Sequence, residues 1–251
     1  QIVNEGTLKL INSAGVENGK INTLGTIITN KAGANLIVEN VKIDGQYNGY
    51  QNNNVENVTI KNYGNLEVKG VYLTGTVGIE NVENANSKLT GTTINYTGSN
   101  PNGYNMLRNS GTGKIEVEES KLVGSIKVLK GEISIKNSTI DNSENTYNNP
   151  KIYNSAKMQL EGNTINSDIK NLETGILTIK SGTLQGMIEN EGTGAVNVEG
   201  GTIEYRYSAI INYSTGTINV IGGILKATQK DRPVIENQKL GTINIGIKDG
   251  N

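Results

Sequence analysis

Eight of the eleven tyrosines, all three arginines and all three prolines fall in a few polar connecting segments. The long segments are 44–57, 95–109, 141–154 and 226–237, and a middle-sized one is 204–212. A tyrosine ring offers a flat apolar face and a hydroxyl with few rotamers to lose. A row of such rings beside asparagine amides suits a sugar chain or an extended peptide. The candidate ligand residues are therefore Tyr47, Tyr50, Tyr96, Tyr104, Arg108, Tyr147, Tyr205, Arg206 and Tyr207. The competing role for the tyrosines is to pin these segments onto the body of the protein.

Acid–base and metal chemistry find little support. The chain has no His and no Cys. That removes disulfides, thiol chemistry, the common zinc sites and every histidine-dependent mechanism. Asp occurs only at 44, 141, 168, 231 and 249, with no two adjacent. The pair Glu118-Glu119 follows Val117, and neighbours on an extended strand point to opposite faces. Gly200-Gly201 and Gly222-Gly223 precede no helix, so they are turn material rather than a phosphate cradle. No catalytic residue, metal or cofactor is expected.

The elements that must hold the tyrosines can be read from composition. The 251 residues carry 23 Lys+Arg against 24 Asp+Glu, a net charge of -1. Nucleic-acid and anionic-membrane binding need a basic face, and neither partner is expected. No run of about 18 apolar residues exists, so no membrane insertion is expected. The chain opens at Gln1 without a basic-then-apolar leader and is expected to be a processed or excised piece of a larger protein. It has no Phe and no Trp. An aliphatic core of Ile, Val and Leu works when the interior is regular and narrow, as in stacked layers.

Such layers are written in the sequence as a repeat. Residues 188–203 read IENEGTGAVNVEGGTI, and residues 210–225 read IINYSTGTINVIGGIL. The template is I-x-N, a turn with Gly, an apolar-x-apolar triplet, two turn residues, and T-I. Triplets such as Leu36-Ile37-Val38, Ile133-Ser134-Ile135 and Val196-Asn197-Val198 alternate with period 2, as half-buried strands do. About eleven units follow one another. No unit buries its apolar side alone, so they must stack. The fold is expected to be all-β: one right-handed parallel β-helix, a solenoid of about eleven rungs, filling residues 1–251 as a single domain. The Asn after the first strand (Asn4, Asn57, Asn81, Asn109, Asn154, Asn171, Asn190, Asn212 and Asn237) should form a ladder, with Thr23 and Lys130 as departures. The following Gly should supply φ > 0. Long and short connections alternate at one corner of the coil, so the tyrosines share a face.

The strings Gly216-Thr217-Ile218-Asn219-Val220 and Gly200-Gly201-Thr202-Ile203 resemble the repeats of right-handed parallel β-helices. That group is similar in fold to pectate lyases, and closest in flavour to secreted surface proteins and adhesins of bacteria. The resemblance implies an extracellular, cell-surface or secreted location. It implies a non-enzymatic adhesin-like role, with a glycan, a host or bacterial surface protein, or a second copy as partner. Two alternatives stand beside it: a degenerate polysaccharide lyase or glycoside hydrolase of the same fold, and a purely structural stalk.

Overall fold

The computed structural model describes residues 1–13, 20–24, 26, 28–46, 58–75, 78–96, 105–143 and 151–246. They form three parallel sheets of 11, 11 and 10 strands. Successive strands visit the first, second and third sheet in turn, and each pairs with its equivalent one rung away. The first sheet runs from Ile2–Asn4 to Ile235–Asn237, the second from Thr7–Ile11 to Thr242–Ile245, and the third from Lys20–Leu24 to Ile224–Ala227. The expected β-solenoid is therefore present, with a rung count close to the expected eleven.

Short β-branched strands stack this way because each presents one or two apolar side chains inward. Ile60, Ile79, Leu107, Ile126, Ile152, Ile169, Ile188 and Ile210 form an inward column on the first sheet, at most 1% exposed. The second sheet supplies paired columns such as Leu36 with Val38 and Ile133 with Ile135; the third supplies Ile43, Leu73, Ile94, Leu122 and Ile140. All are buried. Each such side chain contributes about 1.5–3 kcal/mol relative to exposure. A three-sided interior one side chain deep has no wide void, which is why aliphatic residues suffice. One rung breaks the rule: Ser87-Lys88-Leu89 places a hydroxyl in an apolar slot. Ser87 Oγ donates to Asn81 Oδ1 and accepts from Asn62 Nδ2.

The inner asparagine column exists, in a partly different register from the expected one. It runs Asn4, Asn30, Asn62, Asn81, Asn109, then Val128, then Asn154, Asn171, Asn190, Asn212 and Asn237. Asn30 takes the place expected for Thr23, and Val128 that expected for Lys130. Asn62 fills the third-rung position, and Asn57 lies outside the described residues. In most of the column Nδ2 donates to the next asparagine towards the C-terminus, Asn4 to Asn30 at 2.7 Å, Asn154 to Asn171 at 2.8 Å and Asn190 to Asn212 at 2.9 Å, whereas Asn81 and Asn109 donate to backbone carbonyls instead. The amides also close their own turns, as Asn171 does on the Gly175 carbonyl at 2.8 Å. A second ladder lines the corner between the second and third sheets. There the amide N–H of Thr92 donates to Ser120 Oγ, that of Ser120 to Ser138 Oγ, and that of Ser138 to Asn163 Oδ1.

The glycines after the ladder asparagines differ from expectation. Most have ordinary φ; their constraint is the rung beneath. A Cβ on Gly113 would lie 1.9 Å from the Ala85 carbonyl oxygen, and one on Gly194 would lie 2.0 Å from that of Gly175. Most left-handed residues stand instead at the corner between the second and third sheets, among them Asn40, Gly70, Gly91, Glu119, Asn137 and Gly162 with φ between 48° and 67°, while Gly33, Glu83, Gly131 and Glu173 take φ of 50° to 77° in the ladder turn. A two-residue corner needs that reversal at one of its positions. The remaining corner, from the third sheet to the next first-sheet strand, carries the long segments. They alternate with short links over the first two thirds of the chain, as expected.

Candidate functional site

The predicted ligand residues come from the connections between the third sheet and the next first-sheet strand and from the strands that flank them. Tyr47, Tyr50, Tyr104 and Tyr147 lie outside the described residues. Tyr96 ends the strand Thr93–Tyr96 and is 8% exposed, packed so close to Gly124 that a Cβ there would lie 2.9 Å from the tyrosine Cβ. Arg108 sits on the outer side of the first sheet, its Nε 3.5 Å from Glu80 Oε1. Both are part of the wall of the solenoid.

Tyr205, Arg206 and Tyr207 are brought together at the surface. Tyr205 ends the strand Thr202–Tyr205, and residues 206–209 form the link to the next rung. The link of the following rung, 228–234, lies directly upon it. The amide N–H of Thr228 donates to the Tyr205 carbonyl and that of Gln229 to the Arg206 carbonyl, both at 2.9 Å. Ala209 N–H donates back to the Val234 carbonyl at 2.9 Å. Between these bonds Asp231 takes a left-handed φ of 63° and the chain delivers Arg232 beside Tyr207. The two rings meet edge-on, centroids 6.0 Å apart at 61°. The Arg206 and Arg232 guanidinium carbons lie 5.5 and 5.3 Å from the Tyr207 centroid. Tyr207 and both arginines are exposed.

On neighbouring rungs lies an ion network whose members are far apart in sequence. Lys151 Nζ stands 3.5 Å from Asp168 Oδ2 and 3.2 Å from Glu189 Oε2. Lys170 Nζ is 3.3 Å from Glu189 Oε2 and also pairs with Glu191. Asp168 Oδ1 accepts the Met187 N–H at 2.9 Å. Burial, then the negative charge of Asp168, push the Tyr205 phenol above its ordinary value against the opposing charge of Lys151. At neutral pH its hydroxyl is a hydrogen-bond donor. Stacking creates this network: Lys170 and Glu189 are the outward middle residues of successive I-x-N triplets, in register. That position, followed from repeat to repeat, is the sequence signal for the Lys170–Glu189 pair, whereas Lys151 and Asp168 stand one residue before their triplets.

A second surface was also missed. The outer side of the second sheet carries a shallow groove of about 690 Å³ lined by Asn35, Asn65 and Asn86, with Glu67, Lys88 and Lys114 beside them. Asn65 Nδ2 donates to Asn35 Oδ1 at 3.1 Å, and Lys114 is held by Glu116 at 2.8 Å. Its charges alternate in sign. Among the described residues, no three acidic side chains gather as a metal site. The chain matches no family model, and comparison with curated proteins and with solved structures likewise finds no match.

Proposed function

We propose that this protein is a non-enzymatic, extracellular β-solenoid of the bacterial surface or secreted type, similar to adhesins. It binds glycans through the corner that carries its long connections. The observation that carries this reading is the surface constellation of exposed Arg206, Tyr207 and Arg232 with the half-buried Tyr205. Surface side chains on links held by backbone hydrogen bonds are organised before any ligand arrives, so little freedom is lost on binding. With the two guanidiniums over the Tyr207 ring, a sugar meets this cluster through its hydroxyls, which find hydrogen-bond donors in the phenol and guanidinium groups. The asparagine ladder keeps the rungs beneath rigid. Host or sister-cell surfaces that display such glycans are the natural partners.

A hydrolytic reading draws on Asp168 and Glu189, two carboxylates at one site. Lys151 Nζ lies within 3.5 Å of both and takes the space that a water or a glycosidic oxygen would need between them. The binding reading is therefore the stronger. A glycan array probed with the purified protein tests it. Defined hits that weaken on Tyr207→Ala are expected. A blank array, or hits indifferent to that substitution, would overturn the reading.

A further inference from the structure

We infer that the glycan bound at this corner is an acidic one, its sulfate or carboxylate groups held by Arg206 and Arg232 on either link. The inference rests on the glycan-binding reading above and names its ligand class. The chain has three arginines. Arg108 has its carboxylate in Glu80. Arg206 and Arg232 pair with no carboxylate among the described residues, although both are fixed against one ring. The nearby cations are already engaged: Lys226 with Glu204 at 3.3 Å, Lys170 with Glu189 and Glu191, and Lys151 with Asp168 and Glu189. The nearby acid Glu236 accepts from Ser208 and Gln238. Lys230 and Asp231 on the same link offset each other in charge, so what sets this corner apart is not net charge but two fixed guanidinium forks with no carboxylate against them among the described residues.

Two like charges gathered on one ring repel, and a bound anion relieves that repulsion. A guanidinium lying over a ring keeps its in-plane N–H groups free, and those form the fork that meets sulfate or carboxylate in a bidentate way. The tyrosine beneath supports the cations and leaves its own hydroxyl for a neutral sugar hydroxyl. A neutral glycan would leave both forks unmatched.

The test measures binding of the protein to dextran sulfate, to hyaluronate and to unmodified dextran. It compares the unaltered chain with Arg206→Gln/Arg232→Gln and with Arg206→Lys/Arg232→Lys. Both arginines are exposed, and unchanged circular dichroism would certify the fold. Expected is binding to the sulfated polymer, the carboxylated polymer or both. It should fall about tenfold or more in the glutamine variant and weaken in about 0.5 M salt. The lysine variant should fall between the two, because it keeps charge and loses the fork. Preference for dextran sulfate over hyaluronate would identify sulfate as the group read, and the reverse would identify carboxylate. Equal binding to dextran and dextran sulfate, indifferent to the substitutions, would overturn the acidic class and leave glycan binding intact. Acidic-polymer binding that survives in the glutamine variant would overturn the assignment to these arginines. Binding to none of the polymers, together with a blank glycan array, would sink both readings.

Discussion

Val128 lies in register with Asn154 and interrupts the inner column that asparagine fills on the neighbouring rungs. Asn109, one rung before Val128, turns its Nδ2 to the Gly113 and Glu132 carbonyls at 2.9 and 3.1 Å. Asn81 likewise donates to the Ala85 and Lys114 carbonyls and leaves Asn109 Oδ1 without a hydrogen bond, so the amide ladder is two segments, Asn4 to Asn81 and Asn154 to Asn237. Replacing Asn171 by Ala, in the middle of the second segment, strands the Asn154 donor and the Asn190 acceptor. That should cost about 2–5 kcal/mol, since each buried unsatisfied group costs about 1–3 kcal/mol. Val128→Asn should be far milder, because it loses apolar contact but supplies Asn154 with a donor. Urea denaturation of both variants decides; an equal loss would mean the amides are not linked as a ladder.

Two glycine substitutions separate crowding from backbone strain. Gly194→Ala would put its Cβ 2.0 Å from the Gly175 carbonyl oxygen. Backbone cannot step aside within a stack, so a loss of about 3 kcal/mol or more is expected. Gly91→Ala meets nothing within 4 Å and carries only the penalty of φ +56°, about 1–2 kcal/mol. Thermal and chemical denaturation should rank them in that order, and a reversed ranking would refute crowding as the constraint.

These two cases also show why the sequence was readable in places. Period-2 alternation exposes the inward columns, because a half-buried strand must alternate; Ser87 escaped since a hydroxyl in an apolar slot carries no such signal. The ladder register slipped near Asn57 because 38 asparagines offer many decoys, and only pairing across rungs picks out Asn30 and Asn62. The role of Gly194 depends on an oxygen 19 residues away in sequence. Tyr205, Arg206 and Tyr207 were legible as neighbours in the chain. Arg232 joins them through hydrogen bonds between links, and Lys151, Asp168 and Glu189 through rung register, neither of which local sequence states.

Acid should weaken the outer face of the second sheet at one named point. Glu132 stands between Lys157 at 2.8 Å and Lys114 at 3.5 Å. Burial pushes its carboxyl up, but the hydrogen bond from Lys157 and the charge of Lys114 outweigh burial and leave it below its ordinary 4.5. A carboxyl lowered by folding contributes stability that is present above its unfolded value and lost as pH falls through the folded one. Glu132→Gln should therefore be less stable than the parent at pH 7. The two should converge once the pH falls well below 4.5. A gap that persists unchanged into acid would show that the charge of Glu132 contributes nothing.

The three arginines should behave in opposite ways when removed. Glu80 is 4% exposed and its Oε1 takes both Ser110 Oγ, at 2.7 Å, and Arg108 Nε. Arg108→Ala removes the opposite charge from a carboxylate that stays buried, a change that typically costs about 3–5 kcal/mol. Arg206 and Arg232 face solvent, and their loss should leave stability within about 0.5 kcal/mol. Denaturation midpoints of the three alanine variants, measured side by side, test this division. A large loss for Arg206→Ala or Arg232→Ala would make the Tyr207 constellation a brace for the two links, and the tyrosines would then hold the corner together rather than present it.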